Sequence, residues 1–229
     1  MNLAVVWHEI ECHGYDADLG LWLELARVEQ GPVLDVGAGT GRVAVPLAYA
    51  GHDVTALDID GDLLAALPRE IPTVTADAQA FDLDRRFGLL VVPMQTVQLL
   101  DDRAAFLRAA RRHLLPGGLL AAAVAEDFET FDVTVGLPFP DVGEREGWRF
   151  SSQPTALRST QDGVRIERVR TAWRPDGRRS VEPDVIELNR LTAAQLEVEA
   201  RARGFTPEPA REIAPTPDHV GTTVVMLRG

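Results

Sequence analysis

The sequence predicts an α/β fold: a doubly wound, mostly parallel sheet of seven strands, with an antiparallel β insert between the fifth strand and the last helix. Three observations predict it. The stretch from Pro32 to Val43, PVLDVGAGTGRV, reads as a short apolar strand (Val33–Val36), a glycine turn (Gly37-Ala38-Gly39-Thr40-Gly41) and a helix from about Thr40 to Ala50. Alternation of apolar runs and helical patterns then continues to Val124, as strands covered on both faces require. From Ala125 to Leu191 that alternation stops and three β-like runs replace it.

Composition bounds the function. A chain of 229 residues can bury one well-cored α/β domain, and 45% hydrophobic with 25% charged residues is ordinary for a globular protein. Net charge is −12. Polyanion binding needs a basic face, so nucleic acid is disfavoured as a partner; the Arg-rich run Arg165–Arg179 is interleaved with Glu167 and Asp176 and reads as a solvated strand face. Cys12 is the one cysteine, which excludes an intramolecular disulfide and a cysteine-rich zinc site, and no metal is expected. The first residues lack a basic start followed by an apolar core, and no run approaches the roughly 20 apolar residues of a membrane span. A cytoplasmic protein with no membrane partner is therefore expected. All 23 basic residues are Arg.

The glycine turn carries the most chemistry. Its glycines let a ligand approach the main chain closely, and a helix start adds unpaired N–H groups that suit an anion. A dinucleotide fingerprint needs G-x-G-x-x-G, but here Gly41 comes one place early and Arg42 stands where the dehydrogenase glycine would be. A P-loop needs a Lys after its last glycine, and the chain has none. Asp35, two places before Gly37, would repel a diphosphate and attract an ammonium. A ligand carrying both an ammonium and a carboxylate fits Asp35 and the helix start together. The string L-D-V-G-A-G-T-G closely resembles motif I of the class I S-adenosylmethionine-dependent methyltransferases. That resemblance implies a Rossmann-like fold, S-adenosylmethionine as cofactor with S-adenosylhomocysteine as product, and cofactor contacts from Asp35, Gly37, Ala38, Gly39, Gly41 and Arg42.

A single domain is expected over residues 1–229: an N-terminal cap (1–31), a cofactor-binding core (32–124), the β insert or acceptor region (125–191) and a C-terminal helix with a strand pair (192–229). In the cap, Leu19, Trp22, Leu23, Leu25 and Ala26 make an apolar face for a helix over Asp16–Glu29, with Asp16 or Asp18 as its cap. In the methyltransferases that the chain resembles, this segment folds over the cofactor and an aromatic often covers the sulfonium. Tyr15 is the candidate, since a π face or hydroxyl oxygen favours a cationic sulfur. After Gly51-His52 comes a second strand, Asp53–Leu57, ending at Asp58. An acid here accepts hydrogen bonds from both ribose hydroxyls; Asp58 takes that role, with Ile59 beside it, and Asp60 caps a helix over Gly61–Leu67. A third strand, Ile71–Thr75, is followed by Asp77 and Ala78. The resemblance implies that Asp77 meets the adenine amino group and the Ala78 N–H a ring nitrogen.

The fourth strand, Arg86–Val92, runs into Pro93-Met94-Gln95. Ligands sit outside the carboxyl ends of such strands, so Pro93 and Gln95 border the transfer site. That loop has no N/D-P-P-aromatic string and no cysteine, and without Lys a Lys-Asp-Lys-Glu tetrad is impossible, which argues against the nucleic-acid methyltransferases that use them. Asp101 or Asp102 caps a helix to Leu115, stopped by Pro116-Gly117-Gly118, and Leu119–Val124 is the fifth strand. In the insert, a Pro/Gly-rich loop (136–140) precedes runs at Trp148–Gln153, Val164–Trp173 and Val181–Leu191, the last two joined by a Pro175-Asp176-Gly177 turn. Many small-molecule methyltransferases, sugar N-methyltransferases among them, carry an insert here that builds the acceptor pocket or a dimer surface. Thr192 and Gln195 form a capping box for a helix to Arg203, and Phe205–Ile213 with Val220–Leu227 completes the sheet.

Methyl transfer from a sulfonium needs alignment and, for protonated or hydroxyl acceptors, a base. His13, His219, Glu126 and Asp127 are the candidates, because their segments could face the cofactor; none is assigned the role. His8, His52 and His113 rank lower. The expected function is S-adenosylmethionine-dependent methylation of a small-molecule acceptor by a monomer or homodimer. A protein acceptor, or cofactor binding without catalysis, is the alternative.

Overall fold

The computed structural model describes residues 1–128, 130–132, 138–216 and 219–229, so Gly136 and Leu137 of the Pro/Gly-rich loop lie outside the described residues. The chain opens with helices α1 (Leu3–Cys12) and α2 (Leu19–Val28). Strand β1 (Val33–Val36), helix α3 (Ala44–Tyr49), β2 (Val54–Asp58), α4 (Gly61–Leu64), β3 (Thr73–Thr75) and β4 (Phe87–Val92) follow. A 3-10 turn (Thr96–Leu99) leads to α5 (Arg103–His113) and β5 (Leu114–Val124). The insert holds β6 (Phe131–Asp132), β7 (Asp141–Arg145), β8 (Trp148–Ser159), β9 (Gly163–Trp173) and β10 (Arg179–Asn189). Helix α6 (Ala193–Arg201), β11 (Thr206–Ile213) and β12 (Thr222–Arg228) end the chain.

Seven strands form one sheet in the order β11-β12-β5-β4-β1-β2-β3. β1 pairs parallel with both β2 and β4, β4 with β5, and β12 enters antiparallel beside β5. Side chains of a strand alternate between faces, and the core divides accordingly. Leu34, Val36, Leu90 and Val92 meet Phe106, Leu107 and Leu196 on one face. Val33, Leu89 and Val91 meet Trp22, Leu25, Ala44 and Leu47 on the other. Strand order reverses between β1 and β4, which opens a crevice at their carboxyl ends.

The insert folds as a second, antiparallel sheet in the order β10-β9-β8-β6, with β7 also on β8. Helix α1 packs onto that sheet rather than the main core: Val6 and Trp7 are buried with Phe150 and Ala172, and the Trp7 and Phe150 rings meet edge to face at 5.2 Å. No helix among the described residues is long and apolar enough to cross a membrane.

Several boundaries differ from expectation. The helix expected from Thr40 starts only at Ala44, because Gly39 and Gly41 hold left-handed φ angles of 55° and 88° that a right-handed helix forbids. Helix α1 was unforeseen; Asn2 caps it, its side-chain oxygen accepting from the Ala4 N–H at 3.0 Å. Strand β8 runs past Gln153 to Ser159, and β5 starts at Leu114, where α5 has ended. Asp102 is the cap of α5, and the Thr192/Gln195 capping box forms.

Gln98 joins the two layers at the crevice. It is 2% exposed; its Nε2 donates to the Ala125 carbonyl (3.1 Å) and its Oε1 accepts from the Ala125 N–H (2.9 Å). Gln98→Leu strands that peptide unit unpaired, and about 1–3 kcal/mol of stability is expected to go; urea unfolding with a native far-UV spectrum measures it.

Candidate active site

The crevice is a cleft of about 670 Å³. Its floor is the β1 end and glycine turn (Asp35, Gly37, Ala38). One end is built by Asp58, Ile59, Asp77 and Ala78, and the other by α1 with the insert hairpin.

Asp35 lies at the bottom, 1% exposed, with no side chain hydrogen-bonded to either carboxylate oxygen and only the Ala44 N–H near enough to favour its charge from the backbone. Burial pushes its carboxyl up to about 7, against the pull of nearby Arg42. Asp58 is organised: Oδ2 accepts from the Gly39 N–H (2.8 Å) and Oδ1 from the Asp60 N–H (2.9 Å), which aims its carboxylate across the end of β2. Ile59 is largely exposed beside it. Asp77 Oδ1 accepts from the Gln79 N–H at 2.8 Å, so the turn after β3 is self-bonded, with Ala78 on the wall. Pro93 and Gln95 line the cleft around Met94, whose φ is 54°.

Arg42 also borders the cleft, but its guanidinium is spent elsewhere. It donates to Asp18 Oδ1 (2.6 Å) and Oδ2 (2.7 Å) and to the Tyr15 carbonyl (2.9 Å). Burial opposes its charge, yet the Asp18 carboxylate outweighs this and holds Arg42 above its usual value. Arg42 therefore lines the cleft and at the same time fastens α2 to the turn. Tyr15 lies outside the cleft lining. Its ring is buried against His219 (4.6 Å between centroids) and under the Arg42 guanidinium (5.2 Å). The aromatic in the wall is Trp7, whose Nε1 is buried without a partner. Gly41 faces away from the cleft, where a side chain would strike Val45 and Leu67.

The base candidates scatter. Glu126 accepts from the Ala193 N–H (2.8 Å) at the start of α6, and neither it nor Asp127 lines the cleft. His219 stacks on Tyr15. His13 and His8 converge: His13 Nε2 lies 2.8 Å and His8 Nδ1 3.0 Å from Thr40 Oγ1. Burial lowers both imidazoles. Of the two, His8 lines the cleft. His113 is structural, its Nε2 accepting from the Leu83 N–H at 2.8 Å.

The insert was expected to border the site, but the residues it contributes were not foreseen. Ile166, Arg168, Arg170, Ile186 and Leu188 form a wall facing the glycine turn. Glu11 of α1 accepts from Arg170 Nε (2.7 Å), Arg170 Nη2 (2.6 Å) and Ser152 Oγ (2.7 Å) and pairs with Arg168 (2.9 Å). Asp184 pairs with the same two arginines at 3.6 and 2.8 Å. Burial would raise the Glu11 carboxyl, but the arginines and Ser152 hold it below its usual range. The period-2 pattern at 166, 168 and 170 was the available signal.

Residues 33–118 match the methyltransferase domain family. The chain is similar to the cypemycin N-terminal methyltransferase of a Streptomyces species, 34% identical over 111 residues, covering 44% of this chain and 45% of that one. It spans less than two thirds of the length of the curated relatives it matches. A sugar N-methyltransferase of Streptoalloteichus superposes with a TM-score of 0.76 at 21% identity, over 98% of this chain and 92% of the other. An S-adenosylmethionine-bound amino pentose methyltransferase of Micromonospora echinaspora does so at 0.72 and 20%, over 100% and 98%. These two likenesses show the fold.

In the ligand-free protein Asp35 keeps a proton up to about pH 7, whereas the unfolded chain releases it near about pH 4. The raised native value means stability is fully present below about pH 4 and is lost as the pH rises through 7. Asp35→Asn removes that loss. Urea unfolding is expected to find it more stable than wild type at pH 8 by ~2–4 kcal/mol, with no such gain at pH 4.

Proposed function

We propose, from the premise that the chain carries a class I methyltransferase domain over residues 33–118, that it transfers a methyl group from S-adenosylmethionine to a small-molecule acceptor. The observation that carries this reading is Asp35: a buried carboxylate without a side-chain partner beside a bare glycine turn, a receptor for an ammonium. Asp58, held by the Gly39 N–H, is suited to two ribose hydroxyls, and Ile59, Asp77 and Ala78 to an adenine. When bound, S-adenosylmethionine supplies an electrophilic methyl on a sulfonium. The chain's own residues hold the ammonium at Asp35, orient the ribose at Asp58 and exclude water with α1 and the insert.

The small acceptor is supported by the insert wall, which closes the cleft opposite the turn with Trp7, Ile166, Ile186 and Leu188 and leaves room for a compact group. The sugar and amino pentose methyltransferases that share the fold favour an amine or hydroxyl acceptor of that size. A net charge of −12 argues against nucleic acid. The reading treats residues 1–229 as one catalytic unit, working in the cytoplasm.

Calorimetric titration with S-adenosylmethionine and S-adenosylhomocysteine tests it. Micromolar binding of both is expected, with Asp58→Ala losing at least about tenfold through the ribose hydrogen bonds. NADH is expected not to bind; NADH binding without the adenosyl ligands would overturn the reading.

A further inference from the structure

A methionyl group brings a carboxylate as well as an ammonium, and the cleft must answer both. The cations in its wall are already committed. Arg42 is forked onto Asp18. Arg168 and Arg170 are each held between Glu11 and Asp184. Helix α3 has only six residues and starts at Ala44, beyond the turn.

His8 stands where the missing partner is needed. Its ring lies directly on the glycine turn: a methyl group added at Gly39 would fall 2.2 Å from Cε1 and 2.3 Å from Nε2. Nδ1 is taken up by Thr40 Oγ1 at 3.0 Å, which leaves Nε2, on that edge of the cleft, without a hydrogen-bond partner among the described residues. The helix that presents it is clamped from behind: Glu11, one turn on, is gripped by Arg168, Arg170 and Ser152, and Trp7 packs on Phe150.

We propose that His8 is the cofactor-binding residue that donates from Nε2 to the methionyl carboxylate, charged through a relay in which His13 passes a proton by way of the Thr40 hydroxyl. The inference rests on the S-adenosylmethionine reading above. Thr40 has one hydroxyl hydrogen between two imidazoles, so one nitrogen must donate to it and the other accept. With His13 Nε2–H donating to Thr40 and Thr40 donating to His8 Nδ1, His8 carries its proton on Nε2, facing the cleft. A proton taken from water at His13 Nδ1 shifts the His13 Nε2 proton to Thr40 and the Thr40 proton to His8 Nδ1. His13 ends neutral, and His8 ends as an imidazolium donating from both nitrogens.

Burial keeps His8 below its usual value in the free protein. Of the groups that face it, Asp58 at the end of β2 favours the charged form, as do Glu11 and Glu9 of α1, while His13 opposes it. Helix α4, beside α1, carries Asp60, whose carboxylate caps its own helix, and Asp62. A ligand carboxylate raises His8 in the complex, so binding takes up protons, and affinity falls as the pH rises through the bound-state value. Asp35 works in the opposite direction only near and below its value of about 7.

The test is titration with S-adenosylhomocysteine at pH 8 in two buffers of different ionisation enthalpy, which counts protons taken up per ligand, for wild type, His8→Asn and Thr40→Val. Asn keeps a polar atom toward Thr40 and removes Nε2. His8→Asn is expected to lose about tenfold in affinity, as a charge-assisted hydrogen bond implies. It should also take up measurably fewer protons than wild type, with an unchanged ligand-free melting temperature. Thr40→Val is expected to share the proton deficit. Equal affinity and equal proton uptake in wild type and His8→Asn would overturn the assignment and leave the methyltransferase reading intact. Failure of wild type to bind would sink both.

Discussion

Arg42 and Asp18 form an ion pair withdrawn from water, with side chains 7% and 1% exposed, and the geometry of the cleft depends on it. Taking either partner away strands a buried charge, which costs about 3–5 kcal/mol where it has been measured. Here the pair is a three-way junction. Asp18 also accepts from Trp22 Nε1 (2.8 Å), and Arg42 also donates to the Tyr15 carbonyl, so α2, the chain before it and the glycine turn are fixed together. The consequence for function is subtractive. The turn's own cation is consumed in holding the turn, and Asp35 beneath it is left with a carboxylate that the protein does not neutralise. A buried group without a partner is destabilising, and a cationic ligand would relieve that penalty.

The second organising contact is Glu11. Helix α1 belongs to the insert by packing, through Val6, Trp7 and Phe150, but it touches the core at the glycine turn through His8, His13 and Thr40. Glu11 lies one turn beyond Trp7 and His8 and ties the same helix to Arg168 and Arg170. The cofactor floor and the insert wall are therefore joined by ten residues of helix. A shift of the wall is transmitted to the turn with little slack, since both ends of α1 are held by charged or packed contacts rather than by loops.

How legible this was in the sequence follows from the range of the forces involved. The centre of the sheet was readable because β1, β2, β4 and the end of β5 are local apolar runs, and Asp58, Asp60, Asp102 and Thr192 were readable because strand ends and caps are decided within a few residues. Asp35, Gly37, Ala38, Asp58, Ile59, Asp77, Ala78, Pro93 and Gln95 do come together along one cleft. The pairing of Arg42 with Asp18 and of Tyr15 with His219 was not legible, because those partners are set by tertiary packing. Helix α1 was missed for the same reason: its apolar residues match a sheet more than a hundred residues downstream. The length of α3 was overestimated because periodicity does not register that Gly39 and Gly41 adopt left-handed angles.

The insert side of the cleft shows why function is harder to read there than at the turn. In β9 the residues at 166, 168 and 170 face the cleft, and across the hairpin Ile166 stands opposite Ile186 and Arg168 opposite Asp184. Cross-strand partners of opposite charge compensate each other, and Glu11 completes a set of two cations and two anions. A run that looks basic in sequence is thus close to neutral where it meets the cleft. A free anion entering the wall would have to displace Glu11 or Asp184 from an arginine and leave that carboxylate without its partner, whereas a neutral group breaks no pair. The charge on this wall is accordingly already paired between α1 and the insert, which neither net charge nor motif spacing reports.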